Sequence, residues 1–509
     1  MSSTLPVSSP TREIARDFAY MSFARTVSLG ISFVRSLIIP GLLGPTLYGG
    51  WKTLSMIQTY AQFGDLGARA SLRRQIPFHA GRQDQAGLAA SRDVAFTANN
   101  ISILIAAAGT VAAAWLVDDI TMRYALLAFL PMLYIAHINS FMESLLYGLK
   151  DFAWMSRLNI WAGVLEAVLA VGLTWGLGRI GYPLLGLILG TTLAYGVSTL
   201  AQLSRTRFQV GFAWSWPVMK ELVTVGFPSH LNGLLYNIFL SLDRWLIIAF
   251  LGLTSFGHYA LAVAINDFLF QFSYTLGNVI SPRLVERYAE RERIADLRPM
   301  VETPLLIISR VAPAVLGVVY FASELLIRTG LTRFEPSLLP LRILLIGTFF
   351  SSVPRGLSSF FITIRRQAQT VHLYLLVIAA NAALVWWMLA SGRGLTGAAV
   401  GTTLSLALFG YGLIGMALRY FMGPLQIAGF MARLTWPLGV ALALVWLSHA
   451  AASALVGDDA IPHLLAGAAL YLAGYAPVLF VLFRRYGYAL RRSPAVPIDP
   501  ESIEDHDPH

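Results

Sequence analysis

The chain has 509 residues, 56% of them hydrophobic and only 13% charged, with a mean hydropathy of +0.64. About a quarter of the residues of a soluble domain are charged, so this composition excludes a soluble globular protein and describes an all-α polytopic membrane protein. Cysteine is absent, which excludes disulfide frameworks and cysteine-ligated metals, and the net charge of +10 is spread between apolar runs instead of forming a nucleic-acid-binding patch.

Residues 1–16 read as a polar cytoplasmic tail. The apolar run that follows carries Arg25 and Arg35 and lacks a small-residue cleavage site, so it is expected to be a retained span and not a signal peptide. A span needs about twenty mostly apolar residues rising 1.5 Å each. Windows of that kind fall at 17–40, 47–69, 93–117, 121–147, 157–177, 181–203, 221–251, 256–281, 303–327, 338–363, 369–390, 395–418, 432–453 and 462–483. About fourteen transmembrane helices are therefore expected: a six-helix bundle over 17–203, a cytoplasmic linker at 204–220, a second bundle over 221–418, and helices 13 and 14 within 419–484. Residues 485–509 end Pro-rich and acidic, with nothing to bury, and are expected to be a disordered cytoplasmic tail.

Charge gives the topology. With the amino terminus inside, 25 of the 37 Lys and Arg residues face the cytoplasm, 5 face the opposite side and 7 lie within spans. That bias predicts a multi-pass membrane protein with both termini cytoplasmic. The segment 283–298 alternates Arg and Glu and reads as a solvated surface helix. Every outer loop is short, and no His-x-x-x-His, glycine-rich phosphate loop or Ser/His/Asp set stands where it would do chemistry. An enzyme such as a glycan polymerase, which would be expected to carry a large outer loop, is disfavoured, and neither a metal nor a bound cofactor is expected.

One pattern occurs twice. Arg35-Ser36-Leu37-Ile38-Ile39 followed by Leu43-Gly44-Pro45-Thr46-Leu47-Tyr48-Gly49 is echoed by Arg244-Trp245-Leu246-Ile247-Ile248 followed by Leu251-Gly252-Leu253-Thr254-Ser255-Phe256-Gly257. With a one-residue gap the arginines, the Leu-Ile-Ile triplets and both glycines superpose, which implies two halves on one plan around a central cavity.

The seven basic residues within spans are Arg25, Arg35, Lys52, Arg244, Arg310, Arg342 and Arg355. Each costs about 2.5–3.5 kcal/mol at a helix centre. One such residue would snorkel, but a tier near each membrane face on spans of both halves predicts a cationic cavity. Guanidinium groups hold phosphate oxygens two at a time, so a lipid-linked pyrophosphate is the expected substrate, its head in the cavity and its tail in the bilayer. Glu166 and Asp267 sit nearest mid-bilayer and are candidates for binding a coupling H+ or Na+, or for neutralising a cavity arginine. Asp243 adjoins Arg244, but neighbours on a helix point about 100° apart and need not pair. Pro228, Pro313 and Pro354 are expected to bend their spans and act as hinges.

Leu-Val-Thr-Val-Gly-Phe-Pro at 222–228, Asp243-Arg244, Leu251-Gly252 and Gly257 to Ala262 resemble the start of the second half of polysaccharide-unit flippases. Leu43-Gly44-Pro45 to Trp51 and Phe63-Gly64-Asp65-Leu66-Gly67, with Arg73-Arg74 and Pro77, resemble that family's first two spans. The family is the polysaccharide transporter, or O-antigen-unit flippase, branch of the multidrug/oligosaccharidyl-lipid/polysaccharide (MOP) exporter superfamily. The resemblance implies a V-shaped pair of six-helix bundles that moves undecaprenyl-diphosphate-linked oligosaccharide by alternating access for surface polysaccharide synthesis. It implies a polymerase and a chain-length regulator as further partners. Drug exporters and peptidoglycan-precursor flippases of the same superfamily are the alternatives; the basic excess argues against the usual acidic drug site.

Overall fold

Inside lipid the backbone has no water to bond, and a helix satisfies every N–H and C=O within one segment. The structure, a computed structural model, describes residues 10–207, 209–291, 293–366, 368–457 and 460–491. These residues form fourteen α-helices and three short 3-10 turns, with no strand among them. The expected tails at 1–16 and 485–509 lie outside the described residues up to residue 9 and from residue 492 onward.

The helices are α1 (Pro10–Ala61), α2 (Ala68–Gly81), α3 (Gln85–Leu116), α4 (Ile120–Gly148), α5 (Phe152–Gly178), α6 (Pro183–Arg205) and α7 (Trp216–Arg291). They continue as α8 (Arg298–Gly330), α9 (Leu338–Ser352), α10 (Leu357–Thr363), α11 (Ala368–Ala390), α12 (Gly394–Leu418), α13 (Pro424–Val456) and α14 (Ala460–Arg491). Among the described residues, twelve helical segments are long and apolar enough to cross a membrane. The expected count of fourteen differs because α1 and α7 each join two windows across a kink. Their apolar parts run 42 and 38 residues, about 63 and 57 Å at 1.5 Å per residue, twice the hydrocarbon thickness of about 30 Å. Each is therefore long enough for two passes.

Both kinks fall on repeated glycines. Gly44 has φ 71°, ψ 171° and Gly252 has φ 79°, ψ 179°. A residue with a Cβ rarely takes that conformation, so the sequence echo is also a backbone echo. Of the expected hinges, the break arrives at Pro354, where a 3-10 turn over Val353–Gly356 separates α9 from α10. Helix α7 continues through Pro228, and α8 through Pro313. The segment 283–298 is helical as far as Arg291, where it ends α7, and resumes as a 3-10 turn at Ile294–Leu297.

The chain forms two compact units. One comprises residues up to 268 with 327–344 and 368–409; the other comprises 269–326, 345–367 and 410 onward. In the first, α5 and α6 pack through a small-residue pair, Gly186 and Gly190. A Cβ at Gly190 would stand 2.7 Å from the Leu169 carbonyl carbon, so only glycine allows this approach. A buried core of Leu72, Ile76, Phe96, Phe141, Met142 and Leu222 joins α2, α3, α4 and the start of α7.

In the second unit, α14 lies antiparallel along α8. Residues 467, 471 and 475 form one stripe at helical spacing, and it meets 321, 317, 313 and 310 in that order. The Tyr471 hydroxyl donates to the Pro313 carbonyl at 2.6 Å and Tyr475 donates to the Arg310 carbonyl at 3.0 Å. Each tyrosine thereby ties its hydroxyl to a backbone carbonyl of the neighbouring helix, satisfying a buried donor that lipid could not.

Candidate substrate cavity

The two copies of the repeat meet in the first unit, and they meet reciprocally. Gly257 packs against the Pro45 carbonyl and Gly49 against the Leu253 carbonyl. Thr46 and Thr254 share a hydroxyl–hydroxyl hydrogen bond of 2.8 Å. Each residue contacts the counterpart of its own partner, which is the pattern of a two-fold contact. A second closure joins the other two motifs, Phe63 to Gly67 and Gly226 to Pro228. A Cβ at Gly67 would lie 2.7 Å from the Gly226 carbonyl carbon. His230 bonds the Phe63 carbonyl at 3.0 Å and stands 3.6 Å from Asp65.

Between these two closures, α1 beyond its kink and α7 on both sides of its kink line a cavity of about 120 Å³. Bulk water occupies about 30 Å³ per molecule, so a few waters or a phosphate group would fit. Lys52, Ser55, Met56 and Thr59 line it from α1, and Arg244, Phe256, Ala260, Val263, Ala264 and Asp267 from α7. The spacings 52–55/56–59 and 256–260–263/264–267 are those of a single helix face turned inward. Charge is positive on balance, two cations against one carboxylate.

One carboxylate faces two cations, so the site keeps one positive charge in excess. Arg244 stands 3.9 Å from Asp267, beyond hydrogen-bond length, and Asp267 is half exposed. The Arg244 Nε is buried and has no hydrogen-bond partner among the described residues. Lys52 lies 5.4 Å from the centroid of the Tyr48 ring, a cation–π contact. Asp243 turns away from the Arg244 side chain. Its Oδ2 accepts from Tyr259 at 2.6 Å and from Thr402 at 2.9 Å, while Oδ1 accepts the Arg244 backbone N–H at 2.8 Å.

The structure thus brings together Lys52, Arg244 and Asp267 from the expected set. Arg35 sits elsewhere on α1, ion-paired with Glu166 of α5, so Glu166 occupies the charge-neutralising role that was open to it. Arg25 is exposed and Arg342 partly buried in the same unit. Arg310, whose guanidinium bonds the Leu306 carbonyl of its own helix at 2.7 Å, and Arg355 belong to the second unit. Sequence reading missed the uncharged lining and the Asp243–Tyr259–Thr402 cluster. Counting helical turns outward from Lys52 and Asp267 would have found the first; the second joins residues 159 positions apart and left no local signal.

A match to the polysaccharide biosynthesis protein family runs over residues 14–287, which holds both copies of the repeat and all the cavity residues. The chain belongs to that family. No curated protein sequence matches this family member. Its fold is that of MOP superfamily transporters, and three solved structures illustrate it. The lipid II flippase MurJ in an inward closed conformation is 14% identical with a TM-score of 0.67, covering 91% of this chain and 99% of its own. An inward-facing multidrug resistance MATE family transporter is 17% identical with a TM-score of 0.60, covering 80% and 95%. A MOP superfamily transporter from Pyrococcus furiosus, described as having a binding pocket of reverse polarity, is 14% identical with a TM-score of 0.57, covering 82% and 96%.

Proposed function

We propose that this protein is a flippase that carries an undecaprenyl-diphosphate-linked oligosaccharide across the bacterial inner membrane by alternating access, for O-antigen, capsule or exopolysaccharide synthesis. The observation that carries the reading is the buried, unpartnered Nε of Arg244 beside Lys52 in a cavity of net positive charge. A donor left without an acceptor in a low-dielectric site favours an anion that supplies one. Membership in a polysaccharide biosynthesis family supports reading that anion as the diphosphate of a lipid-linked glycan. The same reading includes cytoplasmic termini, H+ or Na+ as the driving ion, and a polymerase and chain-length regulator receiving the product.

The test is binding of undecaprenyl diphosphate to purified protein in nanodiscs. One charge-assisted hydrogen bond contributes about 1.5–3 kcal/mol, so Arg244→Ala and Lys52→Ala should each weaken binding about ten- to a hundredfold. Unchanged affinity, with surface polymer still exported at normal protein level, would remove this cavity from the mechanism. Loss of dye resistance with intact surface polymer in cells lacking the protein would favour drug export instead.

A further inference from the structure

The second unit holds a cluster of titratable groups that the substrate reading leaves unused. Glu324 of α8 is buried, with 4% of its side chain exposed. His449 of α13 stands with Nε2 3.9 Å from Glu324 Oε2 and with Nδ1 2.9 Å from Nε2 of His463 on α14. His463 in turn places Nδ1 3.3 Å from the Gly457 carbonyl, at the connection between α13 and α14. From α8 the His449 ring is faced by Tyr320, Phe321 and Glu324, with ring centroids at 5.6 and 5.0 Å for the two aromatics; from α14 it is faced by His463 at 5.1 Å. His449 lies about 10 Å from the end of α13 at 1.5 Å per residue, so the series runs from a helix end inward to an enclosed carboxylate.

We propose that His463, His449 and Glu324 form a proton relay that delivers a proton from solution at the α13–α14 connection to the Glu324 carboxylate. The geometry gives the order. A proton arriving at Nδ1 of His463, where the Gly457 carbonyl then accepts from it, makes that ring cationic, and the ring releases its Nε2 proton to Nδ1 of His449. His449 then releases its own Nε2 proton to Glu324, which becomes a neutral carboxylic acid, and both rings regain neutrality with their tautomers exchanged. A direct ring-to-ring bond of 2.9 Å requires one donor and one acceptor nitrogen, so the pair accommodates one mobile proton at a time. The last gap is longer than a hydrogen bond, so a side-chain rotation at Glu324 completes it. Histidine is the side chain whose protonation ordinarily changes between about pH 5 and 8, which is the interval over which to follow the relay.

Coupling of this proton to transport rests on the flippase reading, but the relay itself does not. The test is infrared difference spectroscopy of the purified protein in nanodiscs across the same pH interval. A carboxylic-acid C=O band should grow as pH falls, vanish in Glu324→Gln, and shift its midpoint in His449→Asn and in His463→Asn. His463 is partly exposed at a helix end, so its variant keeps the test informative if replacement of the buried Glu324 unfolds the protein. A band that survives Glu324→Gln, or a midpoint identical in wild type and both histidine variants, overturns the proposal. In cells, Glu324→Gln should abolish the dependence of polymer export on external pH. Failure of Arg244→Ala to alter diphosphate binding would defeat the flippase reading while leaving the infrared result standing.

Discussion

Alanine in place of Gly257 tests the reciprocal contact between the two copies of the repeat. In a free helix the change from glycine gains about 1 kcal/mol. Here the new Cβ would stand 2.6 Å from the Pro45 carbonyl carbon, where an ordinary contact is about 3.5 Å, so the helices must part by about 1 Å. Overpacking of that kind costs about 1–3 kcal/mol, and loss of the Thr46–Thr254 hydrogen bond adds about 1 kcal/mol. Setting the helical gain against these, Gly257→Ala should destabilise by about 1–3 kcal/mol. Gly49→Ala, which meets the Leu253 carbonyl, should cost about the same. The double variant should cost less than the sum, because one separation accommodates both methyl groups. Gly109→Ala is the control: no atom lies within 4 Å of its new Cβ, and it should stabilise by about 0.5–1 kcal/mol. Unfolding followed by intrinsic fluorescence in detergent reads all four. If Gly257→Ala matches or exceeds wild type, or if the two single variants differ widely, the two-fold contact is not as described.

Since the chain has no native cysteine, Thr46→Cys with Thr254→Cys provides a clean crosslink; hydroxyls 2.8 Å apart predict rapid intramolecular disulfide formation on mild oxidation, seen as a gel shift reversed by reductant. At the start of α3 the Asp84 carboxylate accepts from the Gly87 N–H at 2.8 Å and pairs with His79 at 2.9 Å, the first more than the second holding it below the usual carboxylate range. A depressed carboxylate contributes stability that is present above its unfolded value of about 3.9 and is lost as pH falls through the folded value. Asp84→Asn, which keeps the cap, should therefore flatten the acid limb of an unfolding-versus-pH series below about pH 4. Tyr471→Phe removes the buried donor to the Pro313 carbonyl and should cost about 1–3 kcal/mol, measurable by denaturant or thermal unfolding; an unchanged midpoint would show that the α8–α14 seam does not depend on it.

Helices, their apolar windows and the family were legible from the amino acids because each leaves a local mark. Bilayer thickness demands about twenty apolar residues, the translocation bias sorts basic residues, and a positive-φ kink demands glycine at 44 and again at 252. Merging of two windows into α1 and into α7 was not legible, since a kink of one residue leaves almost no gap in hydropathy. The in-span charges were recognisable as a class, but their partners were not. Arg35 and Lys52 share a helix and look alike in sequence, yet one pairs with Glu166 and the other lines the cavity. His449 and His463 are 14 positions apart with no local pattern to join them, although their nitrogens meet at 2.9 Å.

Hydropathy, charge alternation and glycine placement act over one or two turns of the chain, and so the amino acids alone establish a many-helix membrane protein with a duplicated plan. Which charges are neutralised, which remain unsatisfied, and which titratable groups touch depends on how helices far apart in the chain are rotated about their axes. Packing of side chains at a few ångströms sets that rotation, and no short-range pattern encodes it.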